Sequence, residues 1–356
     1  MRVLLLNRYS RMGASSRLRC LQYLPYLAAH GIEVDALPLF NDRYLETLYQ
    51  FGKRESANVL GCYLQRVCAL LTIRKYDLLW IQYEIFPWLP EWIEKILYFF
   101  RMPFVVDYDD AIFHSYNLNP RPIVRTLLGN KIERIMRRAS VVIAGNRYIA
   151  RRAYLSGAQK VAYLPTAIDL NRYQMENRRT NGELVIGWIG SPKTAKYLDT
   201  IKPALNHCAK LKNTSLSLVG SGPVELNNIP INYYPWTEES EAQLINDFDI
   251  GIMPLSDTPW EKGKCGYKLI QYMASGKPVV ASAVGANKEI VEHGINGFLA
   301  ETTEEWVKAF SILHDNALLR KKMGESGRKK VRDKYCLQVT GPKLLSVLTS
   351  VRDRKG

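Results

Sequence analysis

The sequence predicts an α/β protein of two domains, each built on a parallel β-sheet. The chain has 356 residues, more than a single hydrophobic core usually serves, since cores seldom grow beyond about 250 to 300 residues. Short runs of Val, Ile and Leu alternate with segments whose apolar residues recur at helical spacing, which is typical of parallel sheets with helical crossovers. A polar stretch without such spacing, Gln174 to Glu183, separates two series of these units and is the predicted linker.

The strand-like runs divide between residues 1–173 and residues 184–335, the two predicted domains. In the first domain they are Val3 to Leu6, Ile32 to Leu37, Leu78 to Gln82, Phe104 to Val106, Val141 to Ala144 and Val161 to Leu164. In the second they are Leu184 to Ile189, Leu216 to Val219, Ile250 to Pro254, Pro278 to Ala281 and Gly297 to Leu299. In such folds ligands bind beyond the carboxyl ends of the strands, so the loops that follow these runs are the places to search for a site.

The formal net charge of +15 is concentrated in the first half of the chain. Residues 1–173 hold 24 Lys and Arg against 14 Asp and Glu, and the densest basic stretch is Arg121 to Arg138. The segment from Phe86 to Arg101 is rich in Trp, Phe, Leu and Ile and contains Lys95 and Arg101. Because interfacial helices combine these features, we predict peripheral binding to an anionic membrane surface through the N-terminal domain. A core helix beside a solvated basic face is the alternative.

Other sequence features narrow the function class. No apolar stretch reaches the roughly 18 residues of a membrane span, and the apolar run after Met1 is too short for a secretory signal. We therefore expect a cytoplasmic protein, peripheral on the cytosolic face of the membrane. The six cysteines are scattered, without metal-ligand spacing, so reduced thiols are expected. The pI of about 9.4 would suit nucleic acid, but no recognition motif accompanies it, and nucleic acid is not an expected partner.

The segment from Gly263 to Leu299 carries the clearest chemical signal. A loop with two glycines and a lysine, Gly263 to Gly266, precedes a predicted helix from Tyr267 to Ser275, and a buried strand PVVAS follows the turn Gly276-Lys277-Pro278. Free N–H groups at a helix N-terminus bind anions, and glycine lets a diphosphate approach the backbone closely. The segment therefore predicts a phosphate site; an ordinary β-loop-α-β unit of a nucleotide-binding fold is the structural alternative.

The residues KLIQYMASGKPVVAS, followed by a Gly-rich turn, a Glu and NGFL, resemble the donor-site signature of the retaining family 4 glycosyltransferases (glycosyltransferase group 1). This resemblance implies the GT-B fold, in which two Rossmann-like α/β/α domains face each other across a cleft. It also implies that the C-terminal helix, residues 336–356, crosses back to pack on the first domain. The donor would be a nucleoside-diphosphate sugar, and no metal cofactor is expected.

The signature is incomplete in this chain. The family usually has two glutamates with seven residues between them, but Gly263 and Gln271 stand at those positions. The amide oxygen of Gln271 can still accept hydrogen bonds from the ribose, and Glu261 is the nearest acid for the donor sugar. The resemblance further places Lys193, Lys264 or Lys268 at the diphosphate. The complete set predicted to bind the donor is Gly13, Gly190, Ser191, Lys193, Gly220, Trp236, Glu261, Lys264, Cys265, Gly266, Tyr267, Lys268 and Gln271.

Several of these assignments have structural alternatives. Trp236 follows a further likely strand, where relatives contact the base; its indole would stack on a base or pack in the core, and packing is slightly favoured. Each lysine could instead be an ordinary surface residue. In the first domain, Arg17 and Arg19 follow Gly13 and are placed either to neutralise phosphate on donor or acceptor or to lie solvated on a helix.

An acidic loop, Asp107-Tyr108-Asp109-Asp110, follows the strand at Phe104. By resemblance, Asp109 or Asp110 would orient the acceptor hydroxyl and His114 would lie near the sugar, so the predicted catalytic residues are Asp109, Asp110, His114 and Lys268. A D-x-D metal site of the GT-A type is an alternative, because alternate carboxylates suit hard cations. Helix capping by Asp109 or Asp110 is another.

The function predicted is a retaining glycosyltransferase that moves a hexose from a nucleoside-diphosphate sugar to a membrane-associated, lipid-linked saccharide acceptor in glycan or envelope polysaccharide assembly. A nucleotide-sugar epimerase of the same fold is one rival, and conversion of a sugar nucleotide without an acceptor would identify it. A non-catalytic, glycosyltransferase-like or anionic-surface-binding subunit is another, and binding that falls steeply with salt would favour a surface role.

Overall fold

The computed structural model describes residues 1–52, 55–175, 182–226 and 229–352 of the chain. These residues form two compact units, the first from Met1 to Thr166 together with the chain from Thr340 onward, and the second from Ala167 to Val339. Most of the predicted linker, 174–183, lies outside the described residues. Each unit is a parallel sheet covered by helices.

The first unit contains a six-stranded sheet in the order β2-β1-β3-β4-β5-β6. All of its neighbouring strands are parallel, with Val3 opposite Leu78 and Val105 opposite Val141. The two central strands, β3 and β4, are buried along their whole length, as the runs of β-branched and aromatic side chains require. The strands are β1 Arg2–Leu6, β2 Glu33–Ala36, β3 Leu78–Gln82, β4 Phe104–Tyr108, β5 Val141–Ala144 and β6 Val161–Tyr163.

Nine α-helices among the described residues connect these strands. They are α1 Ala14–Arg19, α2 Leu24–Ala29, α3 Asp42–Phe51, α4 Ser56–Leu70, α5 Trp92–Phe99, α6 His114–Asn117, α7 Pro122–Leu128, α8 Lys131–Arg138 and α9 Arg147–Leu155. Short 3-10 helices occupy Leu21–Tyr23 and Ile73–Lys75. The inner faces of α5 and α8 meet the sheet through Leu97, Ile132 and Ile135, which belong to one buried cluster with β3 and β4.

The second unit repeats the plan, with a six-stranded parallel sheet in the order β12-β11-β10-β7-β8-β9. Its strands are β7 Leu184–Ile189, β8 Thr214–Val219, β9 Ile231–Tyr234, β10 Ile250–Met253, β11 Val279–Ser282 and β12 Gly297–Ala300. Its helices are α10 Pro192–Ala195, α11 Lys202–Cys208, α12 Glu241–Asn246, α13 Pro259–Lys262, α14 Tyr267–Ala274, α15 Asn287–Ile290, α16 Thr303–Asp315 and α17 Ala317–Lys334. Short 3-10 helices occupy Leu170–Arg172 and Lys196–Ile201.

Strand β9 is not one of the apolar runs that predict the strands of the second domain, although the sequence predicts a strand ahead of Trp236. Its sequence, INYY, is mostly exposed, so it lacks the apolar run by which its buried neighbours are recognised. It is an edge strand that pairs only with β8, through Leu216 opposite Ile231. An edge position in the sheet allows this more polar composition.

The last helix, α18 Leu337–Arg352, joins the first unit from Thr340 onward. Within that unit the Tyr23 hydroxyl donates to Thr340 Oγ1 over 2.9 Å, and Lys160 Nζ donates to Ser350 Oγ over 3.1 Å. The helix continues through Pro342, so the pattern break at Gly341-Pro342 does not interrupt it. Gly341 lies against the ring of Tyr26, where a Cβ atom would approach to 3.1 Å.

The basic stretch Arg121–Arg138 is mostly engaged within the first unit. Lys131 is fully buried and contacts Glu84, with 2.6 Å between Nζ and Oε2. Arg134 and Arg138 both form ion pairs with Glu91. The prediction that this stretch offers its cations to a lipid surface is therefore wrong for Lys131, which is buried, whereas Arg134 and Arg138 share one carboxylate and stay partly exposed.

No helix in the described part of the chain combines the length and the hydropathy needed to cross a bilayer.

Candidate functional site

In the second unit, the carboxyl ends of β7 and β8 meet in two glycine turns. The Gly190 N–H donates to Val219 O over 2.9 Å, and the Gly220 N–H donates to Tyr234 O over 2.9 Å. Gly220 has φ of +73°, and a Cβ atom there would lie 2.5 Å from Gly190 O. Since only glycine fits this conformation and this contact, the two turns form a low backbone surface at the ligand-binding edge of the sheet.

Lys268, in the first turn of α14, lies beside the Gly190 turn. A Cβ atom at Gly190 would approach Lys268 Cε to 2.9 Å, and Lys268 Nζ lies 4.9 Å from the ring centre of the buried Trp188. Burial, and then the charge of Lys264, lowers the pKa of Lys268 to about 7. The Trp188 indole therefore lies in a cation–π contact with the Lys268 ammonium group.

The loop before α14 follows the predicted course. Gly266 precedes the helix with φ of +67°, and a Cβ atom there would lie 2.3 Å from Ile290 Cδ1. Lys264, Cys265 and Tyr267 are half-buried around it. Cys265 is not part of a disulfide bond. The glycine is thus required both by its left-handed backbone and by close packing under the helix start.

Glu261, proposed from the sequence as a displaced acid, lies in α13 and is almost fully buried. Its carboxylate accepts hydrogen bonds from the Tyr197 hydroxyl, over 2.6 Å, and from the Thr258 hydroxyl. Burial alone would raise the pKa of Glu261, but these two hydrogen bonds outweigh it and lower the pKa. Glu261 is therefore an ionised carboxylate, held in place by two hydroxyl groups, three residues before Lys264.

Gln271 and Trp236 lie at the two ends of one hydrogen-bonded group. Gln271 is buried in α14, and its Nε2 donates to the Tyr173 hydroxyl over 3.0 Å. Trp236 follows β9 with 37% of its surface exposed, and its Nε1 donates to Glu241 over 2.9 Å. The slight preference for core packing of Trp236 was wrong: β9 is an edge strand, and the indole that follows it lies on the surface next to Gly220.

The other residues predicted for the donor in this unit lie in the turn after Gly190. Ser191 and Thr194 form a capping box at the start of α10, in which the Ser191 N–H donates to Thr194 Oγ1 over 3.2 Å. Lys193, in that first turn, is exposed. Of the three candidate lysines, Lys268 and Lys264 are half-buried, whereas Lys193 extends into solvent.

In the first unit, Gly13 and Arg19 have structural roles. A Cβ atom at Gly13 would lie 2.3 Å from Tyr9 Cβ, so glycine is needed before α1. The buried Arg19 guanidinium donates twice to Asp107 Oδ1 and once, over 2.8 Å, to Leu164 O. The expectation that Arg19 neutralises phosphate is wrong, because its guanidinium already binds these internal acceptors. Arg17 is also buried, and its Nη1 donates to Arg11 O over 3.3 Å.

The acidic loop lies at the end of β4, and its aspartates make different contacts. Asp107 belongs to the strand and is paired with Arg19, so it is not available as the first carboxylate of a D-x-D metal site. Asp109 accepts a hydrogen bond from the Tyr83 hydroxyl, and burial raises its pKa. Tyr83 has φ of +67°, a strained backbone for a residue with a side chain. The loop therefore fixes Asp109, while the next helix begins only at His114 and is not capped by Asp109 or Asp110.

His114 has both ring nitrogens within hydrogen-bonding distance of neighbours. Nδ1 lies 2.9 Å from Asn117 Oδ1, and Nε2 lies 2.8 Å from the Tyr148 hydroxyl. Burial lowers the pKa of His114, so the imidazole is neutral at pH 7. Among the described residues no group of three or more His, Cys, Asp and Glu side chains is arranged to hold a metal ion.

Three residues that hold these side chains in place were not predicted from the sequence: Tyr173, Tyr197 and Glu241. Tyr197 is 64 positions from its partner Glu261, and Tyr173 is 98 positions from Gln271. Each is an isolated polar or aromatic residue, and its sequence neighbours give no sign of the distant partner.

Comparison with known proteins agrees with this geometry. The family described as Glycosyl transferases group 1 matches residues 183–316. N-acetyl-alpha-D-glucosaminyl L-malate synthase of Bacillus anthracis is 27% identical over 179 residues, which are 47% of this chain and 45% of that protein. The chain thus matches less than half the length of this curated relative.

Solved structures match almost the whole chain. A sucrose-phosphate synthase from Thermosynechococcus elongatus superposes with a TM-score of 0.73 and 15% identity, covering 99% of each chain. HepE of Anabaena, in a complex with UDP-glucose, superposes with a TM-score of 0.69 and 18% identity, covering 98% of this chain and all of that one. At sequence identities this low, the structural similarity shows the fold alone.

The chain has two parallel six-stranded sheets and superposes on these solved structures. It therefore has the GT-B fold, as the resemblance implied. Residues 183–316, most of the second unit, match the family Glycosyl transferases group 1.

Proposed function

We propose that the protein is a retaining glycosyltransferase that transfers a hexose from a nucleoside-diphosphate sugar to a membrane-associated, lipid-linked saccharide acceptor. Such a reaction would serve glycan or envelope polysaccharide assembly. The observation that supports the proposal best is the convergence of Lys268, two glycine turns and Trp236 at one sheet edge of the second unit. A cation, close backbone and an exposed indole suit the phosphate, sugar and base of such a donor.

Lys268 has the central chemical role in this proposal. As the glycosidic bond breaks, the departing nucleoside diphosphate gains negative charge, and an ammonium group held beside the Gly190 turn stabilises that charge. Lys264 adds a second cation. Glu261 and Gln271 contribute oxygen atoms for sugar and ribose hydroxyls. The family resemblance implies that the leaving phosphate helps to deprotonate the acceptor, so no enzyme nucleophile is required, and Asp109, Asp110 and His114 orient the acceptor.

A melting-temperature screen tests the donor assignment. We expect UDP, and UDP-glucose by analogy with the HepE complex, to raise the melting temperature, and the rise to persist in EDTA because no metal is needed. At a nucleotide concentration 100 times Kd the stabilisation is about 2.7 kcal/mol. GDP, dTDP and CMP serve as controls for base selectivity. No shift with any nucleotide would contradict the proposal, and consumption of UDP-glucose without an acceptor would indicate the epimerase instead.

Two helices of the first unit support a peripheral membrane role. On α5 the side chains of Trp92 and Phe99 are 65% and 80% exposed, and Lys95 and Arg101 lie exposed beside them. A stripe at helical spacing on α4 and its C-terminal cap is also exposed: Leu60, Leu64, Val67 and Leu71. Tyr63 of α4 donates to Pro87 O over 2.7 Å, which joins α4 to the segment before α5.

The charges around these helices favour an anionic lipid surface. The only charged side chain of α4, Arg66, is buried, where its Nη2 donates to Asn7 O over 2.7 Å. Arg74 and Lys75 follow α4 and are exposed. Apolar side chains bordered by cations are the composition of interfacial surfaces, and each cation near anionic lipid contributes about 1 kcal/mol. We propose that this surface holds the protein on the cytosolic face of the membrane.

Replacing Phe99 by Glu tests this surface. We expect the native protein to float with phosphatidylglycerol-containing vesicles. Phe99→Glu should weaken that binding by about tenfold, because it replaces an exposed aromatic side chain with a carboxylate, which has the same negative charge as the lipid headgroups. The matched control is Leu318→Glu, at an equally exposed position of α17 in the second unit. Equal losses in both variants would contradict the assignment, as would a change in oligomeric state without a change in vesicle binding.

A further inference from the structure

A buried chain of hydrogen bonds runs through the second unit from α14 to the surface. Gln271 Nε2 donates to the Tyr173 hydroxyl over 3.0 Å, and that hydroxyl donates to Glu241 Oε1 over 2.9 Å. Trp236 Nε1 donates to Glu241 Oε2 over 2.9 Å. Gln271, Tyr173 and Glu241 are all buried, and only Trp236 is exposed.

The donor-to-acceptor direction of these hydrogen bonds is fixed, because the Tyr173 hydroxyl carries one proton. Burial holds the pKa of Tyr173 well above its usual range, so the hydroxyl stays protonated. Both side-chain oxygens of Glu241 accept hydrogen bonds, Oε1 from Tyr173 and Oε2 from Trp236, and Arg172 Nη2 lies 3.5 Å from Oε1. The Tyr173 proton therefore goes to Glu241. The hydroxyl oxygen must then receive a proton from position 271, which an amide supplies and a carboxylate does not.

The same chain fixes the indole of Trp236. Its N–H is bonded to Glu241, and its Cβ borders Gly220, where an added methyl group would approach to 2.9 Å. An aromatic ring already held in one orientation loses less conformational entropy when a planar base stacks on it. The orientation of the exposed ring thus depends on a carboxylate that itself depends on Tyr173 and Gln271.

We propose that Glu241 is a positioning residue, and that Gln271 acts as one in addition to its contact with the ribose, so that together they hold Trp236 as a stacking platform for the base of the nucleotide donor. The proposal also explains why position 271 is a glutamine and not a glutamate. A glutamate at position 271, as in the usual signature, would compete with Glu241 for the single proton of Tyr173. This inference rests on the proposed nucleotide-sugar function, because it needs a base to stack.

A double-mutant cycle tests this series of hydrogen bonds. It compares the native protein with Gln271→Glu, Glu241→Gln and the double variant. We expect Gln271→Glu to lower the melting temperature of the ligand-free protein, because two carboxylates then face one hydroxyl. In the double variant the amide at 241 donates to Tyr173, Tyr173 donates to the carboxylate at 271, and the indole N–H still has an acceptor. The double variant is therefore expected to recover most of the loss.

Binding of UDP and of inorganic pyrophosphate, which has no base, separates positioning from general damage. We expect Gln271→Glu to weaken UDP binding about tenfold, with pyrophosphate binding within twofold of native, and the double variant to restore UDP binding to within threefold. Trp236→Phe, which lacks the indole N–H, is expected to weaken UDP binding and to make it insensitive to Gln271→Glu.

The outcomes distinguish this inference from the proposed function. If the native protein binds neither UDP nor pyrophosphate, the proposed function and the platform both fail. If native UDP binding is normal but Gln271→Glu binds UDP equally well, only the inference is overturned. The same holds if the double variant is no better than Gln271→Glu, or if UDP and pyrophosphate binding fall together.

Discussion

Replacement of Lys268 by alanine is expected to lower kcat/KM for glycosyl transfer by about 10³-fold. The lysine is the half-buried cation beside the Gly190 turn, and removing one preorganised group that stabilises developing charge typically costs 10²- to 10³-fold in rate. Steady-state kinetics with a saturating acceptor provide the measurement. The fall should appear mainly in kcat, because charge on the leaving group is greatest in the transition state.

The matched control for this experiment is Lys193→Ala. Lys193 is exposed in the first turn of α10, so its removal is expected to change kcat/KM by less than tenfold. A greater loss in Lys193→Ala than in Lys268→Ala would contradict the assignment and would make Lys193 the diphosphate ligand. Lys193→Ala should keep the native melting temperature and Lys268→Ala should not melt below the native protein, which excludes unfolding as the cause of lost activity.

The lowered pKa of Lys268 adds a second measurement to the same prediction. With a pKa of about 7, compared with 10.5 for an ordinary lysine, the amine is largely neutral at pH 8 in the free protein. A diphosphate binds the charged form better, so UDP binding at pH 8 should take up a proton, and this uptake should disappear at pH 6. Calorimetry in buffers of different ionisation enthalpy measures it, and Lys268→Ala should abolish it.

The same pKa shift also makes the stability of the nucleotide-free protein depend on pH. Without nucleotide, the unfolded chain holds this proton up to about pH 10.5 and the folded protein releases it near pH 7. The contribution of Lys268 to the free energy of unfolding should therefore rise with pH between those two values. A native protein whose UDP binding takes up no proton at pH 8 would contradict the assigned environment of Lys268.

Replacement of Lys131 by methionine is expected to lower the free energy of unfolding by about 3 to 5 kcal/mol, the usual effect of breaking a buried ion pair by removing one partner. Lys131 Nζ lies 2.6 Å from Glu84 Oε2 and 2.6 Å from Phe86 O, and both charged side chains are buried. The Glu84 carboxylate would remain buried with Arg8 and the Tyr116 hydroxyl as its other contacts. The midpoint of urea unfolding measures the change.

An exposed ion pair of the same unit provides the control. Arg2 and Glu33 are separated by 3.6 Å with side chains 51% and 79% exposed, so Glu33→Gln should change stability by less than 1 kcal/mol. In the double variant Lys131→Met with Glu84→Gln, the uncompensated charge is absent, and part of the loss should be recovered. A loss below 1 kcal/mol in Lys131→Met would show that Glu84 is satisfied without the lysine.

The strands and the donor-loop elements could be predicted because their signals are local. Val279–Ser282 is a β-branched run between turns, and Gly266 precedes an apolar pattern at helical spacing. Such signals depend on neighbours within a few positions. The number and order of these units predict two parallel sheets, the resemblance implies the GT-B fold, and the fold is confirmed.

The roles of charged side chains could not be predicted in the same way. Arg17 and Arg19 have similar sequence surroundings, yet Arg19 is bonded to Asp107, 88 positions away. Lys131 belongs to a basic stretch in the sequence and to a buried ion pair in the structure. Whether a cation is available to a ligand depends on the nearest carboxylate in space, and sequence spacing carries no information about it.

For this protein, the sequence by itself determined the two parallel sheets, the glycine turns and the helix that carries Lys268, because short-range periodicity and backbone conformation specify them. Only the tertiary structure decided which polar groups are paired: Glu261 with Tyr197, Asp107 with Arg19, and Gln271 with Tyr173. The physical reason is that a buried polar group must find a partner wherever the fold places one. These pairs join residues distant in the chain, so they exist only once the sheets and helices have packed.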